Sequence, residues 1–380
     1  MLKPEQIDKY SYNRIIKMYN DLNIDICSDI IRRIEAMGDI TQASKDQIKI
    51  LAELNGKEIF DEVLIKTSNL TDETKKTLQQ IYKDMAKKDM KDYKPLYKYR
   101  NKEFKLSEKQ LRILNKGINK NNKEIRNFTN SMAFNSKDLF INSVDEAYLK
   151  TSSGAFTYDD AINQSYKEIA STGLKMTDKA GRNVNIDVAV RRSVLTGIQQ
   201  TANDINEETG KILGCDGYEV SAHIGARPTH AVAQGRQYAI NKEDARKYGV
   251  GWWYDRVDGT PVAELWEEPN CRHTVFPIIL GISTPVYTKK EMNKFKQVHT
   301  TLYGQRVPIY EANQQMRYIE RNIREYKRQI EILKNTDKDH SKEDALLKKW
   351  QQEYNKVSKE TGIEKDYTRT RIWLNVKNKV

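Results

Sequence analysis

The sequence predicts an α+β protein: mainly helical, with a small mixed α/β domain at its centre and a C-terminal helical hairpin or coiled coil. Three observations carry this. Apolar residues recur at steps of three and four over both ends of the 380-residue chain. Between about 171 and 285 that spacing gives way to aromatics, Gly and Pro with turn signals. From Met316 to Leu333 it returns as a heptad seam. The domains expected are a helical adaptor over 1–135, the mixed domain over 136–285 and a basic hairpin over 286–380.

In chain order, residues 4–37 read as helix, with Ile15, Ile16, Tyr19, Leu22, Ile26, Ile30 and Ile34 on one face, a break between Asn23 and Ser28, and Gly38 as the terminator. A second helix starts at Thr41 or Ser44 and stops at Gly56; a third starts at Thr71, with Asp72 and Glu73 in its first turn. Ser107 caps a fourth, striped by Leu111, Leu114, Ile118, Ile125 and Phe128. The first part of 136–180 is helical, with Ala147, Tyr148, Tyr158, Ala161 and Tyr166 as core contacts. "KAGR" (179–182) turns a short extended pair, and Val190, Val194 and Ile198 mark the helix that follows. Tyr218 and Val220 suggest a strand, and "DGTP" (258–261) a turn among strands. After Pro285 helix returns: Met316, Ile319, Ile323, Tyr326, Ile330 and Leu333 form the seam, and residues 335–344 break it. A second helix carries Leu346, Leu347, Trp350, Tyr354 and Val357 on one face.

No apolar run reaches the ~20 residues a membrane span requires, and the start lacks the apolar core of a signal peptide. A soluble protein made in a cytoplasm is expected, with no membrane partner. Three cysteines are too few for a disulfide framework. The net charge of +12 is concentrated. Residues 281–380 hold 22 basic and 13 acidic side chains, residues 85–126 hold 14 and 5, and the rest is acidic. Such segments are either lysine-rich solvated helix faces or surfaces for nonspecific double-stranded DNA binding. On the second reading the contacts are Lys87, Lys88, Lys94, Arg100, Arg324, Lys327, Arg328, Lys348 and Lys349.

The chemistry-bearing residues gather in two motifs of the middle segment, "AHIGARPTHAVAQG" and "PNCRHTVFPI". His223, His230, Cys271 and His273 are all zinc-ligand types, and Cys271 and His273 share a side only if the chain is extended there. Cys215 is a substitute ligand. No carboxylate is obviously placed as a general base, although Asp255, Asp258, Glu264, Glu267 and Glu268 lie in the intervening loop. Three readings stand. In one, these residues pin loops by hydrogen bonding, with Arg227 and Arg272 paired to Asp216 or Glu219. In another, they hold one structural zinc. In the third, Cys271 and a histidine are catalytic.

The segments "VRRSVLTGIQQTAND" (190–204), "SAHIGARPTHAVAQGRQY" (221–238) and "PNCRHTVFPI" (269–278), in that order, resemble the phage minor capsid protein 2 family. That family is similar in turn to Mu F-like and SPP1 gp7-like head morphogenesis proteins. Arg227, His230, Gly235 and Tyr238 match the first elements of the wider group's pattern, and Pro269, Asn270, Cys271 and Arg272 its "PNCRC". His273 stands where that pattern has a second cysteine. The resemblance covers about 171–285; the flanks match in general character. It implies a non-enzymatic virion protein of the portal-proximal head interior, associated with the portal protein, other head proteins and packaged DNA during assembly, packaging or ejection. The alternative is a virion-carried metal-dependent hydrolase, nuclease or transferase using the His/Cys cluster.

Overall fold

The computed structural model describes residues 12–38, 44–177, 181–268, 271–295 and 299–372. Helices make up 69% of the described residues and the sheets are small, so the class is α+β with helix dominant. The first eight residues of the expected first helix, the Thr41 cap and Lys179 and Ala180 of the "KAGR" turn lie outside the described residues.

Helix α1 (Tyr12–Ala36) buries the predicted isoleucine face. It runs unbroken through Asn23–Ser28, against expectation. The Asn23 side-chain oxygen accepts the Leu174 amide at 2.9 Å and the Cys27 thiol at 3.4 Å. An asparagine that would compete with helix from an exposed site instead secures a distant backbone N–H from a buried one.

The second and third predicted helices are one, α2 (Lys45–Tyr99), opened by a Ser44–Gln47 capping box. Gly56 does not stop it. Gly56 faces the next helix, α3 (Glu108–Ser152), where a Cβ would come within 3.1 Å of Ile141. Thr71 does not cap either, since its hydroxyl donates to the Thr67 carbonyl at 2.7 Å. Close packing and back-bonding account for both residues without a helix end. Ser107 opens α3 with Gln110, as predicted, and α2 and α3 pack along each other.

Helix α4 (Tyr158–Thr172) leads to the antiparallel pair β1 (Lys175–Thr177) and β2 (Asn183–Asn185), then to α5 (Ile186–Leu213). One apolar core joins α1 to α5 with Ile332 and Leu333 from the C-terminal region.

A second core gathers Tyr218, Tyr238, Trp253, Trp266, Cys271 and Val275. It lies on a four-stranded sheet formed by β3 (Gly217–Val220), β4 (Gln237–Ala239), β5 (Gly251–Trp252) and β8 (Val275–Ile278). The spatial order is β5-β4-β3-β8, antiparallel except for the β4–β5 pair. Between β3 and β8 the chain also forms α6 (Pro228–Ala231), α7 (Lys242–Tyr248), the small hairpin β6 (Arg256–Val257) and β7 (Thr260–Pro261), and α8 (Val262–Leu265). "DGTP" spans the turn and second strand of that hairpin, with positive φ at Asp258 and Gly259. Helix α5 ties the two cores through polar side chains: Asn206 donates to the Val275 carbonyl at 3.0 Å and Gln199 to the His273 carbonyl at 2.7 Å.

Beyond the sheet come α9 (Lys289–Phe295), then an unpredicted hairpin of β9 (His299–Leu302) and β10 (Gln305–Pro308). Its turn is Tyr303–Gly304, both at positive φ. The predicted helical hairpin follows as α10 (Ile309–Lys334) and α11 (Ser341–Thr361). Met316, Ile319 and Ile323 pack against Tyr354 and Val357, so the seam closes within the chain.

Candidate metal centre and the cleft beside it

His230 sits on α6, whose short turn is set by Pro228 at its first position. Cys271 and His273 stand two residues apart on the extended segment entering β8. All three side chains are buried. Cys271 Sγ lies 3.6 Å from His230 Nδ1 and 3.5 Å from His273 Nδ1, and the two Nδ1 atoms are 3.4 Å apart. A tetrahedral zinc with bonds of about 2.3 Å to sulfur and 2.0–2.1 Å to nitrogen requires edges of about 3.5 Å for S···N and 3.3–3.4 Å for N···N. The triangle matches those edges.

The outer contacts aim the ligand atoms inward. His273 Nε2 is 3.0 Å from Gln234 Oε1. That oxygen can only accept, so Nε2 carries the proton and the Nδ1 lone pair faces Cys271 and His230. His230 Nε2 lies 3.4 Å from the Glu268 carboxylate, an ion-pair separation without hydrogen-bond geometry. The His273 amide donates to Cys271 Sγ at 3.4 Å. Burial, reinforced by His223, His230 and Arg227, holds His273 well below the usual imidazole range, and burial lowers His230. Both rings are thus neutral near pH 7. Burial pushes the Cys271 thiol up to about 12.

Three of the four sequence-predicted ligand candidates meet. His223 stands beside them, its ring stacked on His273 at 4.4 Å with its Nδ1 3.2 Å from the Ile224 carbonyl. Cys215 lies with Met90, Tyr97 and Leu213 in a separate cluster. Arg227 pairs with Glu268, not with Asp216 or Glu219. Asp216 instead accepts the Leu280 amide at 2.8 Å, and Glu219 accepts from Gln237 and the Val286 amide. Those acids serve backbone ends of the sheet. The other motif residues frame the centre. Gly235 (φ +65°) returns its amide to the Val220 carbonyl at 3.0 Å, and Tyr238 donates to the Ala233 carbonyl at 2.6 Å. Pro269 and Asn270 lie outside the described residues. Arg272 points into the cleft described next.

The His230–Cys271–His273 triangle forms part of the wall of a cleft of about 320 Å³. Helix α5 contributes Arg191 and Arg192 to that cleft. One face of α10 contributes Arg317, Arg321 and Arg324. Arg227, Arg272 and Arg369 complete eight arginines. The spacing 317, 321, 324 is readable as a helical stripe, but it alternates with the apolar seam and looks like a solvated face. Arg324 is buried and donates to Asp187 at 2.9 Å. Of the expected DNA contacts, Arg324 and Arg328 are thus interior, and Lys327 donates to the Thr370 carbonyl at 2.8 Å. Arg100 is half-buried, with a donor on the Gly214 carbonyl at 3.0 Å. Lys87, Lys88, Lys94, Lys348 and Lys349 are exposed.

The fold and this centre can be set beside known families. The profile of the phage minor capsid protein 2 family matches residues 2–357, nearly the whole chain, so the helical flanks belong to the family along with the three central motifs. The chain belongs to the phage minor capsid protein 2 family. That makes it a structural protein of a phage head, located in the virion and associated with other head proteins. Searches of curated proteins and of solved structures gave no match. Among the described residues no helix is long and apolar enough to cross a membrane.

Proposed function

We propose that this head protein works at the portal vertex, that its exposed lysines meet packaged double-stranded DNA, and that a zinc ion at His230, Cys271 and His273 holds its central domain closed. The observation that carries the metal clause is the ligand triangle, whose edges fit zinc while Gln234 holds His273. A structural ion here would clamp α6 to the entry of β8. The DNA clause is supported by exposed Lys87, Lys88 and Lys94 on α2 and Lys348 and Lys349 on α11. The portal clause follows the family and the exposed Ile50, Leu54 and Ile65 on α2, an apolar surface suited to a protein partner.

Elemental analysis of the purified chain tests the centre: about one zinc per chain is expected, falling in Cys271→Ser and His230→Ala together with thermal stability. A metal-free wild type of full stability overturns the metal clause. Localisation of the chain in purified particles tests the rest, and a position away from the portal vertex ends that part of the reading.

A second reading, a virion-carried metal-dependent hydrolase, is favoured by one observation: among the described residues only three ligands come together, in a cleft wall. A bound ion there would act as a Lewis acid. Phosphodiester hydrolysis that persists in a folded Cys271→Ser variant removes this reading.

A further inference from the structure

The arginine cleft has features that a head scaffold does not require. Eight guanidinium groups line one recess, and several of them are tied to acids at its edge. Asp187 takes Arg324, Glu268 takes Arg227, Asp366 takes Arg369, and Glu320 accepts the Tyr354 hydroxyl at 2.9 Å. The lining itself carries eight arginines and, among the described residues, one carboxylate, Glu320. The arginines come from α5, α10, the β3–α6 loop, the segment before β8 and the short turn Tyr367–Thr370. Their convergence is therefore a product of the tertiary fold and not of one basic run.

We propose that this cleft binds a compact polyphosphate, either inorganic triphosphate or the triphosphate of a nucleotide. Guanidinium forks match phosphate oxygens two at a time, and a triphosphate concentrates three charged phosphoryl groups within one recess. The volume lies at the small end of small-molecule sites, about 300–1,000 Å³. A DNA duplex spreads its phosphates along an extended surface and cannot place several of them in a recess of that size. Tyr310, also in the lining, is an aromatic partner for a nucleoside. Arg317 is pushed down to about 10 by burial and by the charges of Arg369 and Arg272, a repulsion that a bound anion relieves. This inference rests on the arginines and not on the lysine surface; His230, Cys271 and His273 share the wall of the same cleft.

Isothermal titration of the full chain with inorganic triphosphate, ATP, inorganic phosphate and a short DNA duplex tests it. Triphosphate and ATP are expected to bind tighter than about 1 mM, and inorganic phosphate far more weakly. The Arg317→Gln/Arg321→Gln variant is expected to lose at least about tenfold, while Lys348→Ala/Lys349→Ala keeps wild-type affinity. Equal affinity for triphosphate and ATP assigns the site to the phosphates alone; tighter ATP adds the nucleoside. No binding by the wild type, undiminished binding by the arginine variant, or displacement of triphosphate by duplex as effectively as by ATP overturns the proposal. If the double variant does not fold, Arg321→Gln, at an exposed position on α10, carries the same expectation. A rise in melting temperature with triphosphate, absent with sulfate at equal ionic strength, reports binding by the wild type alone.

Discussion

Asp187 shows how much one side chain decides in this fold. Burial alone would raise its carboxyl, but Arg324, Arg328 and Arg191 outweigh that and hold it below the usual carboxylate range. Because the folded value lies below the unfolded one, the group's stabilisation is fully present above the unfolded pKa of about 3.9 and is lost as pH falls through the folded value. Asp187→Asn leaves Arg324 buried without its carboxylate, which costs about 3–5 kcal/mol. In urea melts the variant should therefore show a lower midpoint at pH 7 and a shallower loss of stability below about pH 4. An unchanged midpoint would mean that Arg324 finds another anion. If the proposed zinc is bound, Cys271 is the second decisive residue: serine is isosteric but a poor zinc ligand, so Cys271→Ser should lower zinc affinity by at least about tenfold, read by competition with a chromophoric chelator.

At the scale of elements, helix crossings depend on small residues. Helix α5 meets α2 and α3 at Gly197, where a Cβ would lie 2.5 Å from Asn121 Nδ2 and 2.6 Å from the Tyr82 hydroxyl. Those two groups are hydrogen-bonded to each other at 2.9 Å in the core. Alanine normally improves a helix interior by about 1 kcal/mol. Here the sign should reverse, and Gly197→Ala should destabilise by about 1–3 kcal/mol through overpacking. A rise in melting temperature would show that the crossing relaxes. Ser107→Ala removes the capping box of α3 and should cost about 1 kcal/mol, measurable in the same melts. Element boundaries are legible where a cap chemistry exists, as at Ser44 and Ser107. They mislead at Gly56 and Thr71, because a glycine in a helix crossing and a threonine bonded to its own helix look like punctuation until the partner helix is known. The β9–β10 hairpin escapes the sequence reading although its Tyr303–Gly304 turn lies between two short β-type runs.

For the whole molecule, the charge map separates two kinds of basic residue. Lys87, Lys88, Lys94, Lys348 and Lys349 are exposed, whereas Arg324 and Arg328 of α10 are buried and Arg317 is half-buried. If the lysines meet DNA, replacing these five with alanine should reduce the slope of log affinity against log salt by about 0.9 for each phosphate that is no longer neutralised. A slope equal to that of the wild type would remove these lysines from the DNA surface. Four ligand candidates are legible as residue types, and the motif order points to the family. Which three of them meet is not legible, since His223 and His230 are equally plausible until α6 places one in the triangle and the other against a ring face.

Helical periodicity, the mixed centre, the C-terminal helical pair and the family are each written in local spacing or in contiguous motifs, whereas the closing of the C-terminal seam within the chain rests on the packing of α10 against α11. Only the tertiary structure decided that α5 joins both cores, that His230, Cys271 and His273 form a triangle with the edges of a metal site, and that arginines from five segments share one cleft. The reason is physical: periodicity reports which face of an element avoids water, while convergence depends on which elements cross, and distant residues acquire common chemistry only once packing brings them within a few ångströms.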